Sequence, residues 1–150
     1  MRAAPTLGSA RLIDSGDSRE HWQGASGTLR LHWNRRGALE TTVREHGGED
    51  LVDIVTQRMD SVLRDGGRIV LFFDLGEMHS YDSAMRVRWT DWLKRHLSQV
   101  ESLDVVARSK LVAMGVAVAN LALGGIITVH AERRGTYEAL LLKAGLSAHG

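Results

Sequence analysis

Asp74 and Glu77 are the carboxylates best placed to do chemistry. The first ends an apolar run and the second falls in the polar stretch after it, where a general acid and a general base would meet a substrate. No nucleophile and no second polar cluster accompanies them. Nowhere does the spacing assemble a nucleophile, a base and an anion hole, so no catalytic residue is assigned and no enzymatic activity is expected. Asp82-Ser83 stands at the head of a helical pattern, where either residue would cap orphan amides, a role worth about 1 kcal/mol. The seven histidines, His21, His32, His46, His79, His96, His130 and His149, show no His-x-x-x-His or Glu-x-x-His spacing. They present no pair of metal ligands on one helix face and read as surface or internally satisfied groups. His79 is the most interesting, because it shares a polar stretch with Tyr81. Gly47-Gly48, Gly66-Gly67 and Gly124-Gly125 are simple pairs that suit turns and helix ends rather than a phosphate loop. No cofactor or metal is therefore expected.

Composition narrows the classes further. A formal charge of +1 provides no field for gathering phosphate backbone, which disfavours nucleic acid as a partner. The absence of cysteine removes disulfides and thiolates and suits a reducing compartment, giving a cytoplasmic expectation. Ala3 to Gly8 forms no apolar signal core. The longest mostly apolar run, Leu111 to Leu123, contains Gly115 and Asn120 and falls short of the roughly 20 residues that span a bilayer. It reads as a buried core helix.

The elements that must position these residues are legible from periodicity. Residues 1–26 mix Gly, Ser, Asp and Arg with little apolar content and read as a flexible or partly ordered arm, with room for a short edge strand from Ala10 to Asp14. Residues 27–150 form the domain. Leu29, Leu31 and Trp33 alternate with polar neighbours, as do Leu39, Thr41 and Val43 beyond the turn at Asn34 to Gly37, which predicts a β-hairpin. Leu51, Ile54, Val55, Met59, Val62 and Leu63 recur at helical spacing. The unbroken run Ile69 to Leu75 suits a strand covered on both faces, with a polar turn from Gly76 to Tyr81 after it. A helix follows from Asp82 to about Gln99, with Trp89 and Trp92 on its buried stripe and Arg86, Arg88, Lys94 and Arg95 opposite. A strand at Leu103 to Ala107, a Ser109-capped helix, a strand at Ile126 to His130 and a helix at Thr136 to Ala144 complete the chain. The fold class is α/β: a mixed, mostly parallel sheet with an N-terminal β-hairpin and about four helices.

This order, with an apolar strand leading into Asp82-Ser83-Ala84-Met85 and a later Ser-led helix ending at Gly124-Gly125, resembles the STAS domain family over Thr28 to Leu146. Its best-known members are bacterial anti-sigma-factor antagonists. The resemblance implies a non-enzymatic regulatory module for signal transduction, whose protein partner is a kinase that also acts as an anti-sigma factor or another regulator. It makes Ser83 the candidate phosphoacceptor, and Met78, His79, Ser80, Tyr81, Asp82, Ser83, Met85 and Arg86 the candidate partner-binding residues. Ala84 stands where the family carries a second Ser or Thr, and Met85 stands where it carries Gly, which would bulk out the docking surface. Two further readings stay open. Related STAS-like proteins share their fold with CRAL-TRIO lipid carriers, which implies an apolar small ligand. The third reading is a subunit that pairs into a homodimer through its hairpin edge or its tryptophan-bearing helix.

Overall fold

The computed structural model describes residues 6–7 and 9–146; His149 and the first five residues lie outside that range. One sheet of eight strands runs in sequence order. Its strands are β1 (Thr6–Leu7), β2 (Ala10–Gly16), β3 (Arg19–Gln23), β4 (Gly27–Trp33), β5 (Ala38–Gly47), β6 (Ile69–Tyr81), β7 (Val100–Ala107) and β8 (Ile127–His130). The first five pair antiparallel, and β5 to β8 pair parallel. The helices are α1 (Val52–Gly66), α2 (Ser83–Arg95), α3 (Lys110–Ala122) and α4 (Thr136–Lys143).

Parallel strands need crossovers, and right-handed crossovers advancing across one sheet put their helices on the same face. α1, α2 and α3 accordingly share one core with Leu71, Phe73 and Leu75 of β6. α4 covers the other face, where Tyr137 and Leu141 bury against Ala38, Phe72 and Val106. β6 is thus covered on both faces where its apolar run lies. Each fully buried Leu or Phe there contributes about 1.5–3 kcal/mol.

Two expectations are corrected, the turn at Gly76 to Tyr81 and the enclosure of α3. The polar stretch Gly76 to Tyr81 is strand, because β5 is long enough to pair Arg44 with Glu77, Glu45 with Met78, His46 with Ser80 and Gly47 with Tyr81. Two register shifts, each with an extra residue on β6, absorb the mismatch, and Glu45 takes a φ of 69° next to one of them. Within the N-terminal segment, β2 and β3 join the sheet and pair β3 to the outer side of β4, anchored by the buried Ala10 and Trp22. α3 is not enclosed: Leu111 (50% exposed), Met114 (66%), Val118 (51%) and Leu121 (84%) form an apolar stripe on its outer side. β3 covers the hairpin edge, while Trp89 and Trp92 are buried, the Trp92 indole donating to Asp60 of α1 at 2.7 Å.

Ser109 caps α3 as read, its Oγ accepting from the Val112 amide at 3.2 Å. α2 ends at Arg95, and a single 3-10 turn, Leu97–Gln99, carries the chain into β7. Among the described residues, no helix is long and apolar enough to cross a membrane.

Candidate functional site

The ends of β5 and β6 and the start of α2 meet at the carboxyl edge of the parallel strands, the side on which open α/β folds place ligands. Because His46 and Ser80 are register partners, their side chains come together: His46 Nδ1 lies 2.7 Å from Ser80 Oγ. The other ring nitrogen, Nε2, lies 2.9 Å from Asp82 Oδ1. Asp82 Oδ2 accepts from the Glu49 amide at 2.8 Å, and the Asp82 amide donates to the Gly47 carbonyl at 2.8 Å. The Glu49 amide, more than His46, holds the Asp82 carboxyl below its usual range. An ionised Asp82 requires the neutral imidazole to carry its proton on Nε2, so Nδ1 accepts from the Ser80 hydroxyl. This is the proton order of a Ser-His-Asp relay. Here it ties two strand ends to a helix start.

Asp82 occupies the N-cap position of α2 with extended backbone (φ −77°, ψ 137°), yet its side chain makes no capping bond there. It caps the 3-10 turn Glu49–Leu51 ahead of α1 instead. The first-turn amides of α2 are left without a side-chain acceptor. Ser83, the first residue of that helix, is exposed, and its hydroxyl has no partner among the described residues.

The eight residues expected at the partner surface divide in two. His79, Asp82 and Ser83 are exposed, and Ser80, Tyr81 and Arg86 are half-buried. Met78 and Met85 are 1% and 3% exposed and point inward. Met85 therefore does not bulk out the surface; its sulfur lies over Gly47, where a Cβ would sit only 2.6 Å away.

These inward residues roof a second feature, an apolar cavity of about 70 Å3 between α2, α3 and the sheet. Met78, Tyr81, Met85, Trp89, Val112 and Val116 contribute to its lining. Trp89 is 7% exposed, and its indole N–H has no acceptor among the described residues. Gly115 of α3 gives Tyr81 its seat, since a Cβ there would fall on the phenol oxygen.

The acid pair that opened the sequence reading is spent on different arginines. Asp74 binds Arg133 at 2.8 Å, and Glu77 binds Arg44 at 2.7 Å at the surface. Arg133 also binds the buried Glu40 at 2.6 Å, and the Tyr137 hydroxyl donates to Glu40 at 2.9 Å. Burial raises the Glu40 pKa, with Arg133 and Tyr137 working against it. Burial works to lower the Arg133 pKa, but Glu40 and Asp74 more than reverse it.

The remaining histidines are dispersed. His130 pairs with the buried Asp104 at 2.8 Å, and His96 Nδ1 lies 2.8 Å from the Trp92 carbonyl oxygen. Among the described residues, no three His, Asp or Glu side chains converge as metal ligands. The His46–Ser80–Asp82 relay and the Glu40–Arg133 network escaped sequence reasoning. The usable signal for the relay was the β5–β6 register, which places residues 34 apart side by side.

No protein-family model and no curated protein matches the sequence. Solved structures do match in fold. One is an uncharacterised protein of the DUF3478 family with a SpoIIAA-like fold, from Shewanella loihica PV-4, at 15% identity and a TM-score of 0.53, covering 81% of this chain and 93% of that one. Another is the anti-sigma factor antagonist SpoIIAA in its unphosphorylated form, at 10% identity and a TM-score of 0.52, covering 79% of this chain and 98% of that one. The chain has a SpoIIAA-like, STAS-like fold.

Proposed function

We propose that this chain is a regulatory protein-binding module that docks a partner across the outer sides of α2 and α3, and that phosphorylation of Ser83 releases it. The observation that carries this reading is the uncovered stripe Leu111, Met114, Val118 and Leu121, beside a packed helix that exposes Val87 and begins at Ser83. Contiguous exposed apolar area of this kind marks interaction surfaces. Tyr81 seated on Gly115 brings the start of α2 next to α3. Similarity in fold to an anti-sigma factor antagonist supports a protein partner of the regulator or kinase class.

The Ser83 reading rests on local physics. A phosphate there would meet uncapped amides at the positive end of a 13-residue helix, with Arg86 one turn away. It would also bring about two negative charges beside Asp82, opposing both the Asp82 knot and a partner that needs a neutral hydroxyl. To test this, the protein is incubated with candidate kinases and used for pull-downs from its own lysate as wild type, Ser83→Ala and Ser83→Asp. The expected outcome is that Ser83→Asp alone loses the partner without kinase treatment and Ser83→Ala keeps it throughout. Identical partner sets for all three would sink the switch.

A second reading, binding of a small apolar ligand, is favoured by the cavity between α2 and α3 and by the unpartnered Trp89 N–H. A volume of about 70 Å3 admits a compact molecule with one hydrogen-bond acceptor and no lipid tail unless the helices part. Native mass spectrometry of freshly purified protein, with added acetone as a compact single-acceptor probe, is expected to show a one-to-one adduct. A bare mass under both conditions would remove this reading.

A further inference from the structure

The sheet face opposite α1 to α3 is only partly covered. α4 packs over Phe72 and Val106, and beside it a basin of about 430 Å3 lies over β4 to β7, within the size range of small-ligand sites. Thr42, Asp74 and Gly76 line it from the two central strands, β5 and β6. Arg30 of β4 and Arg108, just beyond β7, contribute from opposite sides, with Arg133 from the segment after β8. Three strand spacings, roughly 14 Å, separate the strands that carry the outer two arginines, and the Arg108 side chain lies over the floor, its Cδ 3.5 Å from where a Cβ on Gly76 would sit.

What the basin recognises follows from which of its polar groups are already used. Its acceptors are engaged: Glu40 by Arg133 and Tyr137, Asp74 by Arg133 and the Gly76 amide, Glu77 by Arg44. The donors are not. Arg30 and Arg108 have no carboxylate partner among the described residues, and the Thr42 hydroxyl is unused. Burial first, then Arg30 and Arg44, depress the pKa of His21, the register partner of Arg30. Arg133 is fixed in place by the two buried or half-buried carboxylates beneath it, so its wall is rigid before any ligand arrives.

We infer that this basin binds a small acceptor-rich anion, a carboxylate or a phosphate, clamped between Arg30 and Arg108 over the Thr42–Gly76 floor. The site is on the opposite side of the sheet from the α2–α3 surface and does not depend on it. Calorimetric titration at low ionic strength with citrate and, separately, inorganic pyrophosphate tests it, and the probe that binds identifies the headgroup. One-site saturable binding of at least one probe is expected. It should weaken roughly tenfold or more in Arg30→Gln/Arg108→Gln, which removes two charge-assisted contacts, and be unchanged in Arg95→Gln on α2. Both substituted side chains are exposed, so thermal unfolding of the double variant should match wild type. No saturable binding of either probe at millimolar concentration, or unchanged binding by the double variant, would overturn the assignment.

Discussion

Replacing Arg133 with alanine is expected to destabilise the fold by about 3 kcal/mol at neutral pH, and by much less in acid. Among the described residues, this side chain is the one cation paired with Glu40, which is 3% exposed, and it also pairs with the half-buried Asp74. Truncation leaves Glu40 with the Tyr137 phenol and Asp74 with the Gly76 amide but neither with a cation, and an uncompensated buried charge costs far more than the pair contributes. The pH dependence follows from the raised Glu40 pKa. Below the ordinary carboxylate value, Glu40 is neutral in both states and the missing partner matters little. As pH rises, the unfolded chain ionises first while the folded carboxyl keeps its proton, so folded stability falls across that window. Without Arg133 the folded value rises further and the window widens. Urea unfolding at about pH 4 and about pH 7 measures the difference; equal penalties at both would show that Glu40 is not the group responsible.

Gly27→Ala is expected to cost about 2–3 kcal/mol although its backbone needs no left-handed angle. A Cβ at Gly27 would fall on the His46 carbonyl oxygen and lie 2.7 Å from that of Arg44. Both are main-chain atoms of β5, so no side chain can rotate away and the β4–β5 pairing must open. The displaced segment carries His46, so the variant should also lose the bonds from its imidazole to Ser80 and Asp82. Thermal unfolding reports the first effect, and the His46 ring resonances report the second. A melting temperature and ring shifts equal to wild type would contradict the close approach.

Much of the fold was legible because local patterns and tertiary demands agree. Leu29, Leu31 and Trp33, with Leu39, Thr41 and Val43, alternate as the paired strands require, and Ile69 to Leu75 is apolar throughout because both its faces are covered. Legibility failed where meaning is set by a distant partner. Gly76 reads as a turn, but in β6 it is a flat position over which a basin opens. β2 is mostly exposed along its length and so carries almost no apolar signal. α3 is apolar on its inner and outer sides alike, so periodicity could not show that one side faces solvent. Asp82 sits where a cap for its own helix belongs, and only the folded chain shows it capping another turn. For the site, the exposed Asp82 and Ser83 were found at the carboxyl edge as expected, whereas the inward turn of Met78 and Met85 depended on Gly47 and the packing of α2.

The docking surface itself is tested most directly by affinity for the partner recovered from its own lysate, measured with purified components. Leu121→Glu places a charge at the most exposed residue of the stripe on α3, Ser83→Asp places one at the head of α2, and Leu142→Glu places one on α4, across the sheet. A surface spanning α2 and α3 predicts that the first two lose roughly tenfold or more in affinity while Leu142→Glu binds as wild type. Equal affinity for all four proteins would contradict it.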